Sequence, residues 1–271
     1  MRTPVLLILL AALLVRASPA VGQAREPALR EYRFVSEPGF LSAAWVNPGA
    51  SGFNRPIHLF GHITGDRPEG GKWKLGQYLV GLQWEIVSFG YQHDVFRDDG
   101  SADTYTISGG YAAGTNGFGV SYTWTNPGQT EGSWNLGWLI VSENASAGIV
   151  FRDLGSPQVR DSTLHERLVG AATFRPSEGT FGFSVQLDYR TKLKNFNAFR
   201  IGGNLTVAKT FDILALAQWN GDGDFDGFMI GAILRGQSVA ASGVIGLESG
   251  GDAGTANVGL DFWQARQSAG Q

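Results

Sequence analysis

The sequence predicts an all-β fold: a transmembrane, up-and-down antiparallel β-barrel of about 14 strands with an N-terminal lumenal segment. Three observations predict it. Short segments between Pro56 and Ala265 alternate large apolar residues with small or polar ones, aromatic residues recur at segment ends, and tight joints alternate with longer polar ones. Side chains point to opposite faces of a strand with period two, so each segment has one apolar and one polar face. Phe118-Gly119-Val120-Ser121-Tyr122-Thr123-Trp124 is an example. A soluble sandwich shares the alternation; the repetition, the aromatic ends and the rhythm of the joints favour the barrel.

Taken in order, residues 1–24 read as a cleaved export signal. Arg2 supplies the positive start, Val5 to Val15 is almost wholly aliphatic, and Gly22-Gln23-Ala24 offers small residues for cleavage, with Ala20 as an earlier site. That apolar stretch is too short to span a bilayer comfortably. The chain has no cysteine, which excludes a lipidated N-terminal cysteine, disulfides, thiol catalysis and thiolate metal sites. Without Arg2 and Arg16, 19 basic and 24 acidic residues remain, a net charge of −5. No basic excess is left to neutralise phosphates, so nucleic acid is not an expected partner. Beyond the signal, no apolar run approaches the ~18 residues of a membrane-spanning helix. A membrane location therefore means a barrel, in the bacterial outer membrane and surrounded by its lipid.

Residues 25–55 precede the repeating region and are expected to form a hatch or plug, and 56–271 form one barrel domain. The strand candidates run over 56–64, 77–85, 87–97, 103–112, 116–125, 132–141, 145–152, 164–174, 180–190, 197–207, 210–219, 225–234, 238–248 and 255–265. Most approach the ~9–11 residues that a tilted strand needs to cross a bilayer. Longer polar joints such as Gly65 to Gly71 and Arg152 to Ser162 alternate with tight ones such as Glu85-Ile86 and Gly114-Thr115-Asn116. Outward faces suited to lipid include Tyr78, Val80, Leu82 and Trp84, then Phe181, Phe183, Val185, Leu187 and Tyr189, then Phe211, Ile213, Ala215, Ala217 and Trp219.

The opposite faces would line the lumen. They offer His58, His62, Gln83, Glu85, Gln92, Asp94, Gln186, Asp188, Arg190, Arg200, Asn204 and Asp212, with Asp261. Gly81, Gly90, Gly117, Gly119, Gly182, Gly202, Gly246 and Gly259 fall on the same faces, where a missing side chain permits curvature or close approach of a plug or ligand. Leu214 and Leu216 also point inward, which suits an occluded or partly apolar passage better than an open ion pore.

Little in the chain suggests chemistry. Asp222-Gly223-Asp224-Phe225-Asp226-Gly227 copies the start of an EF-hand loop, but position twelve is Ile233 in place of a bidentate Glu. His58 and His62 share a strand face about 13 Å apart at ~3.3 Å per residue, too far to share one metal. No segment brings a nucleophile, a base and an orienting group together in a recognisable order. No enzymatic activity, metal or cofactor is expected.

The segment Phe40-Leu41-Ser42-Ala43-Ala44-Trp45-Val46-Asn47-Pro48-Gly49-Ala50-Ser51-Gly52-Phe53 resembles the Asn-Pro-Ala region of the long-chain fatty-acid transporter family and of the related type IX secretion-associated barrels. The resemblance implies a fourteen-stranded barrel whose N-terminal region enters the lumen as a hatch holding Asn47, Pro48 and Gly49. It also implies passive transport or binding of small hydrophobic molecules. The chain departs from the family in its Gly49-Ala50 order, in its shorter external loops and in the polar tail after Phe262-Trp263. The alternative is a non-transporting barrel that docks secreted proteins or anchors a periplasmic partner, as the secretion-associated relatives do, or a purely structural barrel.

Overall fold

The computed structural model describes residues 29–37, 43–53, 57–67, 71–96, 100–126, 132–159, 162–176 and 180–264; the expected signal at 1–24 lies outside them. Among these residues the strands are β1 (Ile57–Asp66), β2 (Lys74–Trp84), β3 (Val87–Val95), β4 (Ser101–Ala113), β5 (Asn116–Asn126), β6 (Ser133–Val141), β7 (Ala145–Leu154), β8 (Gln158–Val159), β9 (Ser162–Thr163), β10 (Arg167–Phe174), β11 (Phe181–Arg190), β12 (Asn195–Ala208), β13 (Phe211–Asn220), β14 (Phe225–Arg235), β15 (Val239–Glu248) and β16 (Ala253–Trp263). Fourteen of them form one closed antiparallel barrel in which each strand pairs with its chain neighbour. The exception to simple succession is β7, which pairs with β10 across the small β8–β9 hairpin. Closure is made by β1 on β16, from His58 opposite Trp263 to Asp66 opposite Thr255. A closed barrel leaves no unpaired backbone edge, the condition a bilayer imposes on any spanning sheet.

The fourteen expected strands correspond one for one to the barrel strands. The β8–β9 hairpin falls in the joint expected as loop; two residues per strand are too few to carry an alternation. The joints β1–β2, β3–β4, β5–β6, β7–β10, β11–β12, β13–β14 and β15–β16 share one rim, the loop side, and each is longer than the opposite-rim joints except the six-residue β10–β11 joint. Those on the opposite rim, such as 85–86, 114–115 and 209–210, are tighter and define a turn side.

The alternation has its physical outcome in the two surfaces of the wall. On β2, Val80, Leu82 and Trp84 are exposed while Gln77, Leu79 and Gln83 are buried. The same outward exposure holds for Phe89, Ile107, Phe118, Leu136, Ile149, Phe183, Ile213, Ile230, Ile245, Val258 and Leu260, so an apolar belt encircles the barrel. Aromatic rings border it. On the loop side Tyr91, Tyr105 and Trp124 follow one another at 5.4 and 5.5 Å between centroids, and Tyr122 meets Trp134 at 4.8 Å. On the turn side Phe118 and Trp138 stack at 6.0 Å. Rings with apolar bodies and polar tips suit the two boundaries of a bilayer.

The core lies inside the barrel. The N-terminal segment contributes a short helix α1 (Leu29–Tyr32) and a 3₁₀ turn over Pro48–Phe53. Its Tyr32, Val35, Ala44, Trp45 and Val46 cluster with Phe60, Leu79, Val150, Val169, Leu214, Ile233, Ala240 and Val244 of the wall. This lumenal cluster is apolar, and it obstructs the centre of the barrel.

Candidate functional site

The plug is seated where the wall has no side chains. Pro48–Phe53 lies against β4, β5 and β6, whose inward faces carry Gly110, Gly117, Gly119 and Gly137. A Cβ built on Gly110 would stand 2.9 Å from the Pro48 carbonyl oxygen, and one on Gly137 would stand 2.7 Å from the Gly49 nitrogen. On β7, a Cβ on Gly148 would meet the Val35 carbonyl and the Asn47 amide. Gly90 gives the same room to the Trp45 ring, which also meets Phe60 edge-on at 5.3 Å. Backbone can touch backbone along this seam only because glycine lacks a side chain.

Asn47 ties the plug to itself and to the wall. Its Nδ2 donates to the Val35 carbonyl at 2.6 Å and to the Trp138 carbonyl at 3.1 Å, and its Oδ1 accepts from the Gly49 N–H at 2.9 Å. Pro48 follows as the first residue of the 3₁₀ turn, where a missing N–H costs nothing. Gly49 is as crowded as the seam: a Cβ there would stand 3.0 Å from Asn47 Oδ1 and from the carbonyls of Gly117 and Gly137.

Elsewhere around the circumference the contacts are polar. The Tyr32 hydroxyl donates to Asn257 Oδ1 at 3.0 Å and lies 2.9 Å from His62 Nδ1, while His62 Nε2 is 3.6 Å from the Asp261 carboxylate. Gln186 Oε1 accepts from the Val35 N–H at 3.0 Å, and Ser36 pairs with Thr173 at 2.7 Å. Gln83 donates to the Ser51 carbonyl at 3.2 Å, and Arg152 donates to the Val46 carbonyl at 2.9 Å. Arg200 donates to the Arg30 carbonyl, and Arg30 donates in turn to the Trp45 carbonyl at 2.6 Å.

Among the residues expected in the lumen, His58, His62, Gln83, Gln92, Asp94, Gln186, Asp188, Arg190 and Asp212 are buried on inward faces. Arg200 and Asn204 are partly buried on the same parity of β12 as Gly202. The Asp94 carboxylate accepts from Gln77 and Gln92, each at 2.7 Å; Asp212 accepts from Thr206 at 2.7 Å and pairs with Arg235 at 2.5 Å. Glu85 is a correction. The strand ends at Trp84, and Glu85 sits exposed in the β2–β3 turn with φ of 51°. The reversal needs a left-handed residue at that point, and the alternation of Gln83 and Glu85 carries no sign of it.

Sequence reasoning missed Tyr32, Arg152, Asp153 and Arg167. Arg152 and Arg167 were within reach, since each shares parity with inward residues of its own strand. Asp153 was not, because it is inward only through a break in register between β6 and β7.

The chain matches no protein-family model and no curated protein sequence. Among solved structures it is similar to the Acinetobacter baumannii outer membrane protein Omp33, with TM-score 0.54 and 11% identity over 79% of this chain and 100% of that one. It is similar also to the CymD monoaromatic hydrocarbon channel, with TM-score 0.56 and 8% identity over 86% of this chain and 95% of that one. What these likenesses establish is the fold: an antiparallel barrel of the outer-membrane protein type.

Proposed function

We propose that the chain is an outer-membrane barrel that binds small hydrophobic molecules or lets them pass, with residues 29–53 as its gate. The observation that carries this reading is that one sector of the wall carries apolar residues on its outer surface and on part of its lumenal surface. Inside, β13 to β15 present Leu214, Leu216, Ile233, Ala240 and Val244 to the lumen. Outside, over β11 to β14, an apolar groove of about 540 Å³ is flanked by Phe181, Phe183, Ile201, Leu205, Phe228 and Ile230. Gly202, Gly203, Ala215 and Ala217 line that groove, so the wall is thin there. The exterior belt, the signal-like residues 1–24 and the Asn47-Pro48-Gly49 resemblance to the fatty-acid transporters support the same reading. The fold shared with a monoaromatic hydrocarbon channel is compatible with it.

The test is uptake of a small apolar fluorophore into proteoliposomes, with mass spectrometry of membrane-purified protein for retained lipid or hydrocarbon. The expected result is protein-dependent uptake that Ala215→Trp, which fills the groove, reduces. Uptake no faster than in protein-free vesicles, together with a ligand-free barrel, would refute passage. That result would favour the second reading, a barrel that docks a secreted or periplasmic protein. The close seating of Pro48 and Gly49 on the glycine seam favours such a closed barrel.

A further inference from the structure

On the loop side of the plug, three arginines stand in one row across neighbouring strands. Arg167 of β10 is the register partner of Arg152 on β7 and of Arg190 on β11. All three are buried on the lumenal face. Like charges directly opposite each other destabilise a sheet, so the row needs a compensating arrangement. Part of it is visible. Arg167 donates to Asp153 at 2.9 Å and to Asp188 at 3.1 Å, and Arg152 is held on the Val46 carbonyl. Asp153 reaches Arg167 through local backbone distortion: it adopts φ of 56°, and both Arg152 and Asp153 are buried although consecutive. A register break that re-aims a side chain in this way is a built feature of a sheet.

Asp153 and Asp188 are both engaged by Arg167, and the Glu166 carboxylate is turned to the Gly155 N–H and to Lys192 at 3.3 Å. Arg190 is 5% exposed, and its Nε donates to Asn195 Oδ1 at 2.9 Å. Its two Nη groups have no protein partner among the described residues and keep contact with solvent. A guanidinium is planar and presents paired donors that match the two oxygens of an oxyanion.

We propose that Arg190, with Arg167 and Arg152 beside it, forms a binding site for a small oxyanion, a carboxylate or phosphate group, entering from the loop side. The site lies above the plug, so it can be filled whether or not anything passes through the barrel.

The test is isothermal titration of the purified full-length protein in neutral detergent at low ionic strength, with inorganic phosphate in one arm and acetate in the other. A saturable one-to-one site is expected for at least one anion, and the arm that responds identifies the group. Arg190→Gln removes the free donors and should weaken binding roughly tenfold or more, while Arg235→Gln, on the turn side, should leave it unchanged. Heat-modifiable gel migration reports whether each barrel is folded. If Arg190→Gln does not fold, Asn195→Ala, which releases the Nε anchor, should weaken binding several-fold. No saturable binding of either anion in the millimolar range would overturn the proposal, and so would binding that survives these changes.

Discussion

Gly137→Ala puts one methyl group between the wall and the plug. The added Cβ would lie 2.7 Å from the Gly49 nitrogen and 2.8 Å from Pro48 Cδ, with Asn47 Oδ1 nearer still. Relaxing a 2.7 Å approach to an ordinary contact of about 3.5 Å moves the plug by roughly 0.8 Å. The Gly49 nitrogen is backbone and Pro48 Cδ belongs to a ring, and the Asn47 amide cannot turn away without straining its bonds to Val35, Trp138 and Gly49. Overpacking of this kind costs about 1–3 kcal/mol, which lowers the ratio of seated to unseated plug roughly 5- to 150-fold. The chain has no cysteine, so Ser51→Cys, close in size and buried in the 3₁₀ turn, supplies a unique thiol probe. Maleimide labelling at position 51 should accelerate by that factor in the Gly137→Ala background while the barrel remains heat-modifiable. Gly170→Ala, where an added Cβ meets nothing within 4 Å, should leave labelling unchanged. Equal labelling rates for Gly137→Ala and the parent protein, both folded, would refute the seating of Pro48 and Gly49 on β6.

Three further perturbations address other parts of the molecule. Asn47→Leu keeps the volume and removes all three Asn47 bonds; each lost bond costs about 1–3 kcal/mol, and labelling at Ser51→Cys should rise more than in Gly137→Ala. Ile245→Lys places a charge in the outward apolar belt and should lower folding stability in phospholipid vesicles by about 2–4 kcal/mol, read by urea titration; an unchanged midpoint would show that this face does not meet hydrocarbon. Arg167→Met deprives Asp153 and Asp188 of their shared cation in a buried setting and should cost about 3–5 kcal/mol in the same titration, whereas a change within about 0.5 kcal/mol would mean the network is solvated.

The wall was legible in the sequence because a two-residue period is a direct consequence of strand geometry. Val80, Leu82 and Trp84 announce a lipid-type face without any knowledge of their partners. The period fails where the backbone departs from it. Glu85 continues the parity of Gln83, yet a left-handed turn intervenes. Asp153 follows Arg152, yet a register break sends both inward. Arg152 and Arg167 were obscured for a different reason: β7 and β10 carry small residues on both faces, Ala147 beside Gly148 and Ala171 beside Ala172, so neither face stands out as polar. The plug has no period at all. Its composition marks it as distinct from the wall, but Tyr32 pairs with His62 and Asn257 through contacts 30 and 225 residues away, which no local pattern encodes.

The plug leads directly into β1, and β1 is completed by the last strand of the barrel. This sets an order of assembly. Asn257, which receives the Tyr32 hydroxyl, belongs to β16, the same strand that closes the wall. Contacts so distant in sequence form late, because the intervening chain must be ordered first. The β1–β16 closure and the Tyr32 latch therefore complete together, after the intermediate hairpins have paired. A chain truncated before β16 loses both at once: it cannot close its wall, and it cannot finish seating the segment that fills it.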